Sequence, residues 1–492
     1  MRIDGATATR IQKPRRVRHS ILCLVNIGLE LSSYTSYKKE PGKMKSSLHD
    51  GPCVCLFERV DLLPSTTIPL IILFLLGLSG CLGQAARNSG TRSPDSIEAL
   101  RSRLSSVRGL KFVDEVPMVV ETREKMADYI DNEVRQNMGK KTLEDVSLVY
   151  AKLGLLPPGV DLRANLLSFY SSQTLAFYDS RAKKVVLRGG PDGRSDTPVL
   201  GEVGEKVIVH ELTHALQDQH FSIGRRLRAL ENGDKALALR SIAEGDAILT
   251  EYAYSFGGVS EWLSSYIRQV CNPAVEGAIL PGTPALIRDK LLFQYRAGTV
   301  FLSHFLGKNG WSPINLIYKY PPLSTKQILH PEKYSAAPDP PTRITLKSLS
   351  GVFPAEWREI ENDTLGELLV RCLFEQFLDP AGAAAVANGW DGDRLVAYRK
   401  GEEIAFIWAT VWDSRRDAEE FYEKYQEIRP MKNGRGSVDS RFYIEKRDRS
   451  VVVVEGLEGD RIKRNIETVW LGMVLEEEHF QPPPFGSWID SR

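Results

Sequence analysis

Five consecutive residues, His210-Glu211-Leu212-Thr213-His214, restrict this 492-residue chain more than any other feature. They lie in the apolar-periodic run 207–216, which contains no proline and is flanked by Gly204 and Gly224, so the pattern predicts a helix. At about 3.6 residues per turn, His210 and His214 fall roughly 40° apart on that helix, with Glu211 roughly 60° beyond His214. Two neutral imidazoles placed so can bind one Zn²⁺, and the neighbouring carboxylate can serve as general base toward water.

A tetrahedral catalytic zinc takes three protein ligands and keeps its fourth position open. His220 follows six residues after His214 but falls on a different face of a continuous helix. The next helical pattern, 235–249, carries Glu244 and Asp246 among small and apolar residues. Buried without partners, these acids are costly, so a cation or strong hydrogen-bond donors should meet them. The simplest assignment makes Glu244 the third ligand and Asp246 the group that orients a ligand histidine. The alternative is that both acids face solvent.

The pattern H-E-x-x-H with a glutamate on a later helix resembles the gluzincin branch of zinc metallopeptidases. More closely, His210-Glu211-Leu212-Thr213-His214-Ala215-Leu216-Gln217-Asp218-Gln219-His220-Phe221, followed by Glu244-Gly245-Asp246-Ala247, resembles a poorly characterised group of bacterial exported metallopeptidases. The likeness continues through Tyr295-Arg296-Ala297-Gly298 and Ser324-Thr325-Lys326-Gln327-Ile328-Leu329-His330-Pro331-Glu332-Lys333-Tyr334, and covers about 108–425. One departure stands out: thermolysin-type enzymes place an aspartate four residues after the ligand glutamate, whereas position 248 here is Ile and the acid is Asp246. The resemblance implies a zincin-like α+β domain holding one zinc per chain. It also implies a tyrosine in the Tyr-x-x-Gly segment, Tyr295, as donor to the tetrahedral oxyanion. Tyr295 as an aromatic core residue is equally compatible with the sequence. His330 would be the donor that thermolysin-like enzymes use, or else a turn histidine capping a carbonyl. His220 and His304 read as structural.

Ahead of this region, 68–81 is a short apolar run ending in Leu78-Ser79-Gly80-Cys81. It is too short for a membrane-spanning helix and fits a secretory h-region. Its end resembles a bacterial lipobox, which implies cleavage before Cys81, lipidation of that thiol and an exported, membrane-anchored protein of the bacterial cell envelope. A buried strand with an incidental cysteine is the alternative. Residues 1–43 read as an over-extended start, with Met44-Lys45 opening a shorter basic n-region. The arginines near the N-terminus do not point to nucleic acid, because 64 basic against 63 acidic residues leave a net charge of only +1.

The expected organisation is leader and signal peptide over 1–81, a small and polar tether over 82–100, a peptidase domain over 101–345, a C-terminal α+β module over 351–480 and a tail over 481–492. Within the peptidase part, 96–137 reads as helix, strand (116–120) and amphipathic helix. The segment 174–188 reads as a hairpin whose edge is either a rail for an extended peptide or an ordinary sheet strand. Helices should dominate 202–320 and give way at Pro321-Pro322, with a loop at Pro338-Asp339-Pro340-Pro341. The C-terminal module should hold a helix at 365–378, strands at 394–399 and 403–410, a helix at 414–428 and strands at 440–447 and 450–457. Cys271 and Cys372 are too few for a disulfide framework and either pair or stay as thiols. The function expected is peptide hydrolysis by a membrane-anchored zinc enzyme acting on a peptide or protein substrate. The alternatives are a non-catalytic surface lipoprotein that binds through a peptidase-like fold, and a zinc hydrolase of a non-peptide ester or amide. Nothing in the sequence sets an oligomeric state.

Overall fold

The computed structural model describes residues 94–137, 142–189, 200–260, 267, 283–306, 310–347, 349–432 and 441–483. The leader with Cys81, the tether up to position 93, Cys271 and the tail from 484 lie outside them. The fold is α+β, and all described residues fall in one compact unit. None of the described helices is long and apolar enough to cross a membrane.

The chain opens with α1 (Pro94–Arg108), β1 (Met118–Glu121) and α2 (Arg123–Asn137), the order expected from hydropathy. Two helices not anticipated follow, α3 (Leu143–Leu153) and α4 (Leu162–Gln173). Each starts at a side-chain cap: Thr142 accepts from the Asp145 amide and Asp161 from the Ala164 amide. The hairpin then forms as β2 (Ala176–Asp179) and β3 (Lys184–Arg188), with Lys183 in the left-handed region at its turn. β3 pairs with β1 in parallel and with β2 antiparallel, so the order β1-β3-β2 leaves β2 at the edge of a mixed sheet.

The H-E-x-x-H helix, α5 (Leu200–Phe221), lies against this sheet. It is interrupted at Gly204, whose φ of 57° is not helical, so the regular helix starts after that glycine. Ile208, Val209, Leu212, Ala215 and Leu216 bury its apolar stripe against Val185 and Leu187 of β3 and Leu100 and Leu104 of α1. Ser222, also at positive φ, turns the chain into α6 (Ile223–Ala229), after which α7 (Gly233–Phe256) packs against α5. Further on come α8 (Ala285–Leu292), a π-helical turn at Phe293–Ala297, α9 (Gly298–Ser303), α10 (Ser312–Lys319) and α11 (Thr325–Leu329).

The rest of the chain is built on an antiparallel five-stranded sheet in the order β5-β6-β7-β9-β8: β5 (Arg358–Asp363), β6 (Trp390–Lys400), β7 (Glu403–Trp412), β8 (Phe442–Arg447) and β9 (Ser450–Glu455). Helices α12 (Gly366–Glu375), α13 (Pro380–Ala387), α14 (Arg415–Lys432) and α15 (Gly459–Gly472) accompany it. Successive strand residues point to opposite faces. Val451 and Val453 therefore enter one hydrophobic cluster with Trp408 and Phe421, while Val452 and Val454 enter another with Ile407 and Ile462.

The first of these clusters is shared with the half of the molecule that carries the H-E-x-x-H helix, since it also takes in Leu143, Ile242, Phe301 and Tyr318. The Pro338–Pro341 region does not separate two cores. Just after it, β4 (Thr342–Leu346) pairs antiparallel with β10 (Met473–Glu477), far along the chain. Buried Lys326 meets Asp339 at 2.6 Å and Asp413, at the end of β7, at 2.8 Å. Cys372 is a buried free thiol on α12, and burial pushes its pKa far up, which makes it an inert core residue.

Candidate metal centre

α5 and α7 bring His210, His214 and Glu244 together, each offering a ligand atom within 4.8 Å of the others. One carboxylate oxygen, Glu244 Oε2, faces both rings: it stands 3.2 Å from His210 Nε2 and 3.4 Å from His214 Nε2. Donors about 2.05 Å from a tetrahedral ion stand about 3.3 Å apart. Charge-assisted hydrogen bonds are shorter, about 2.7–2.9 Å. The spacing therefore fits three ligands of a common cation better than direct pairing.

The ring orientations agree. His210 Nδ1 is 2.6 Å from Glu251 Oε1, and His214 Nδ1 is 2.9 Å from Gln217 Oε1. Because a carboxylate and an amide oxygen only accept, both Nδ1 atoms carry a proton and each Nε2 faces Glu244, donating to it while the ring is charged and offering its lone pair once the ring is neutral. Gln217 is fixed in turn, its Nε2 donating to Ala243 O at 2.8 Å and to Asp246 Oδ2 at 3.1 Å. Asp246 thus acts on His214 through Gln217 and does not touch it. The donors that a buried Asp246 requires are all present. Arg108 grips it through Nε at 2.8 Å and Nη2 at 3.1 Å, and the Tyr318 hydroxyl donates at 2.9 Å.

The carboxylate that orients His210 was not read from the sequence. Glu251 lies seven residues after Glu244, two turns along the same face of α7, and that spacing is the signal that could have found it. The motif glycines also acquire a role. A Cβ on Gly298 would collide with the backbone carbonyl of Ser241 on α7, and one on Gly245 would collide with the backbone of Gly298. These two glycines let α7 meet the π turn and α9 backbone to backbone, which sets Tyr295 beside Glu244. We expect Gly298→Ala to destabilise by about 1–3 kcal/mol, because backbone atoms cannot yield as a side chain would. Denaturant titration reads the loss, and zinc retention should weaken with it.

Electrostatics follow from this crowding. Burial pulls the His210 pKa down, but hydrogen bonds to Glu244 and Glu251 outweigh it and hold the ring well above its ordinary value. His214 shows the same balance, with Glu244 as the raising group. Burial pushes Glu244 up, yet the two histidines hold it well below the usual carboxylate range. Glu211 is raised, chiefly by burial. Its Oε2 accepts a 2.8 Å hydrogen bond from the amide of Tyr178 on β2, which ties the edge strand to the site helix.

Tyr295 sits in the π turn with its ring centroid 6.4 Å from that of His210. The charge of Glu244, with burial second, lifts its phenol well above the ordinary range, so the hydroxyl keeps its proton at neutral pH. His330 does not join this group. It ends α11 with Nε2 2.8 Å from Glu367 Oε1 on α12, a carboxylate that competes for the ring. His220 binds the carbonyl of Lys111, and His304 that of Val300 in its own helix. Cys81 lies outside the described residues.

A family described as a domain of unknown function (DUF8575) matches residues 354–465, less than a quarter of the chain. The match spans β5 to the first part of α15 and includes none of the three clustered residues. No curated protein and no solved structure matches the chain.

Proposed function

We propose that this chain is a zinc-dependent peptidase of gluzincin type with a zincin-like domain, exported and anchored to the membrane through a lipid on Cys81. The observation that carries the metal reading is the single Glu244 oxygen 3.2 and 3.4 Å from two histidine Nε2 atoms whose tautomers are set from behind. His210, His214 and Glu244 would hold one Zn²⁺. When bound, the ion supplies Lewis acidity to a substrate carbonyl and acidifies water.

The chain's own residues perform the rest. Glu211, desolvated and with a raised pKa, is a better proton acceptor than an exposed carboxylate and takes the proton of the attacking water. It then delivers that proton to the leaving amine. Tyr295, kept protonated, donates to the oxyanion as it forms. β2 supports a peptide rather than a small ester as substrate. Leu175 pairs with Arg188 of β3, so Ala176 and Tyr178 turn their backbone groups to the outer edge, where the Tyr178 amide donates to Glu211 and the Ala176 amide and carbonyl are the groups a peptide would meet.

Purified mature protein should bind one zinc per chain with release of protons, because both histidines are held above their ordinary pKa until metal displaces the protons. Affinity should therefore fall as the pH drops through the histidine range. Metal analysis at several pH values, run beside a peptide-library digest, tests the proposal. Zinc stoichiometry near zero after reconstitution, or intact peptides from a zinc-loaded protein, would overturn it.

A further inference from the structure

The turn beyond β2 and the helix beyond α5 line an open surface pocket of about 540 Å³, edged by Ser180, Arg181, Lys183, Asp218, Arg225 and Arg228 among others. Its walls are fixed. Gly224 packs so closely on Ser180 that a Cβ there would collide with it, and Arg228 Nη1 donates to Ser180 Oγ at 2.9 Å. Lys183, Arg225 and Arg228 share the pocket with one carboxylate, Asp218. Asp218 is already held by Lys183, by the Tyr178 hydroxyl at 3.2 Å and by the Gly224 amide at 3.0 Å. Arg225 and Arg228 hydrogen-bond to serine hydroxyls, and among the described residues neither forms an ion pair.

The position of this cavity relative to Glu211 gives it meaning. Asp218 is seven residues past Glu211 on α5, about 10 Å along the axis. An extended chain covers that distance in about three residues. β2 points the same way, passing Glu211 at the Tyr178 amide and running on into the turn at Ser180. A peptide paired with the outer edge of β2 and passing Glu211 reaches the cavity about three residues from the bond over the metal centre.

We propose that this cavity is a specificity subsite for a carboxylate side chain, so that the preferred substrates carry Asp or Glu about three residues from the cleaved bond. This rests on the peptidase reading above. Antiparallel pairing, the more stable arrangement, puts that residue on the N-terminal side.

The test uses zinc-loaded mature protein and matched peptides that differ only by Glu or Gln at this position. Mass-spectrometric digests should show the Glu peptides cut about tenfold faster, a preference that several partly screened charge contacts can supply together. The ratio should shrink with salt. In Arg225→Glu/Arg228→Glu it should fall to one or invert, while melting temperature and zinc content hold, both side chains being exposed. Cleavage with no Glu preference, or a preference that survives the double variant, would overturn the subsite. If no peptide is cut, the peptidase reading fails, and anisotropy with labelled peptides on the Glu211→Gln protein decides the cavity alone. Tighter binding of the Glu peptide that the charge reversals abolish supports it, and equal binding overturns it.

Discussion

Glu211→Gln is expected to retain zinc and lose about 100- to 10,000-fold in peptide turnover. The amide has nearly the shape of the carboxylate, and Glu211 is absent from the group placed to hold a metal ion. Metal content should therefore match wild type. What disappears is the proton acceptor, because an amide oxygen is far too weak a base to deprotonate water. The 2.8 Å hydrogen bond from the Tyr178 amide can be kept by the glutamine carbonyl, so β2 should stay in place against α5. Zinc analysis paired with kinetics on one peptide separates the outcomes. A fall in kcat with KM little changed identifies the base. Turnover near wild type would show that some other group takes the proton.

Arg108→Met should cost about 3–5 kcal/mol of folding stability, the range for removing one partner of a buried ion pair. Both side chains are fully enclosed, and Arg108 also stacks on Trp311 with its guanidinium carbon 4.5 Å from the ring centroid. Methionine fills part of the space but leaves Asp246 with donors from Gln217 and Tyr318 alone. The loss should also reach the metal. Asp246 fixes Gln217, and Gln217 fixes the His214 tautomer. Loosening groups that orient a ligand typically costs 10- to 100-fold in metal affinity. Denaturant titrations with and without zinc read the two effects apart. An apo protein as stable as wild type would show that Asp246 does not depend on Arg108.

The sequence carried the metal group further than it carried the fold. H-E-x-x-H is a local pattern whose geometry follows from helix periodicity, and Glu244 was reachable because an acid among small apolar residues needs a cation. The hairpin at 174–188 and strands β6 to β9 were legible through apolar and β-branched runs. Helices α3 and α4 escaped because their signals are capping residues and short amphipathic stretches. β5, Arg358–Asp363, was not anticipated, since it is mostly charged and polar, and it forms a strand at the edge of its sheet, where charge is tolerated. The pairing of β4 with β10 joins segments more than a hundred residues apart, which no local pattern encodes. Arg108 was out of reach for the same reason, since its role exists only once α1 has packed on α7. Gln217 meets His214 three residues away on α5, but what holds it there comes from α7.

The contact between Gly245 and Gly298 bears on how such a site ages over generations. Where side chains alone space two helices, every substitution in the core nudges the groups they carry. Here the spacing between the Glu244 helix and the Tyr295 turn is set by main-chain atoms, which have no alleles. The apolar residues around them are thus free to drift in size and shape while the chemistry keeps its dimensions. The cost of that freedom is concentrated in two positions where any side chain meets main-chain atoms.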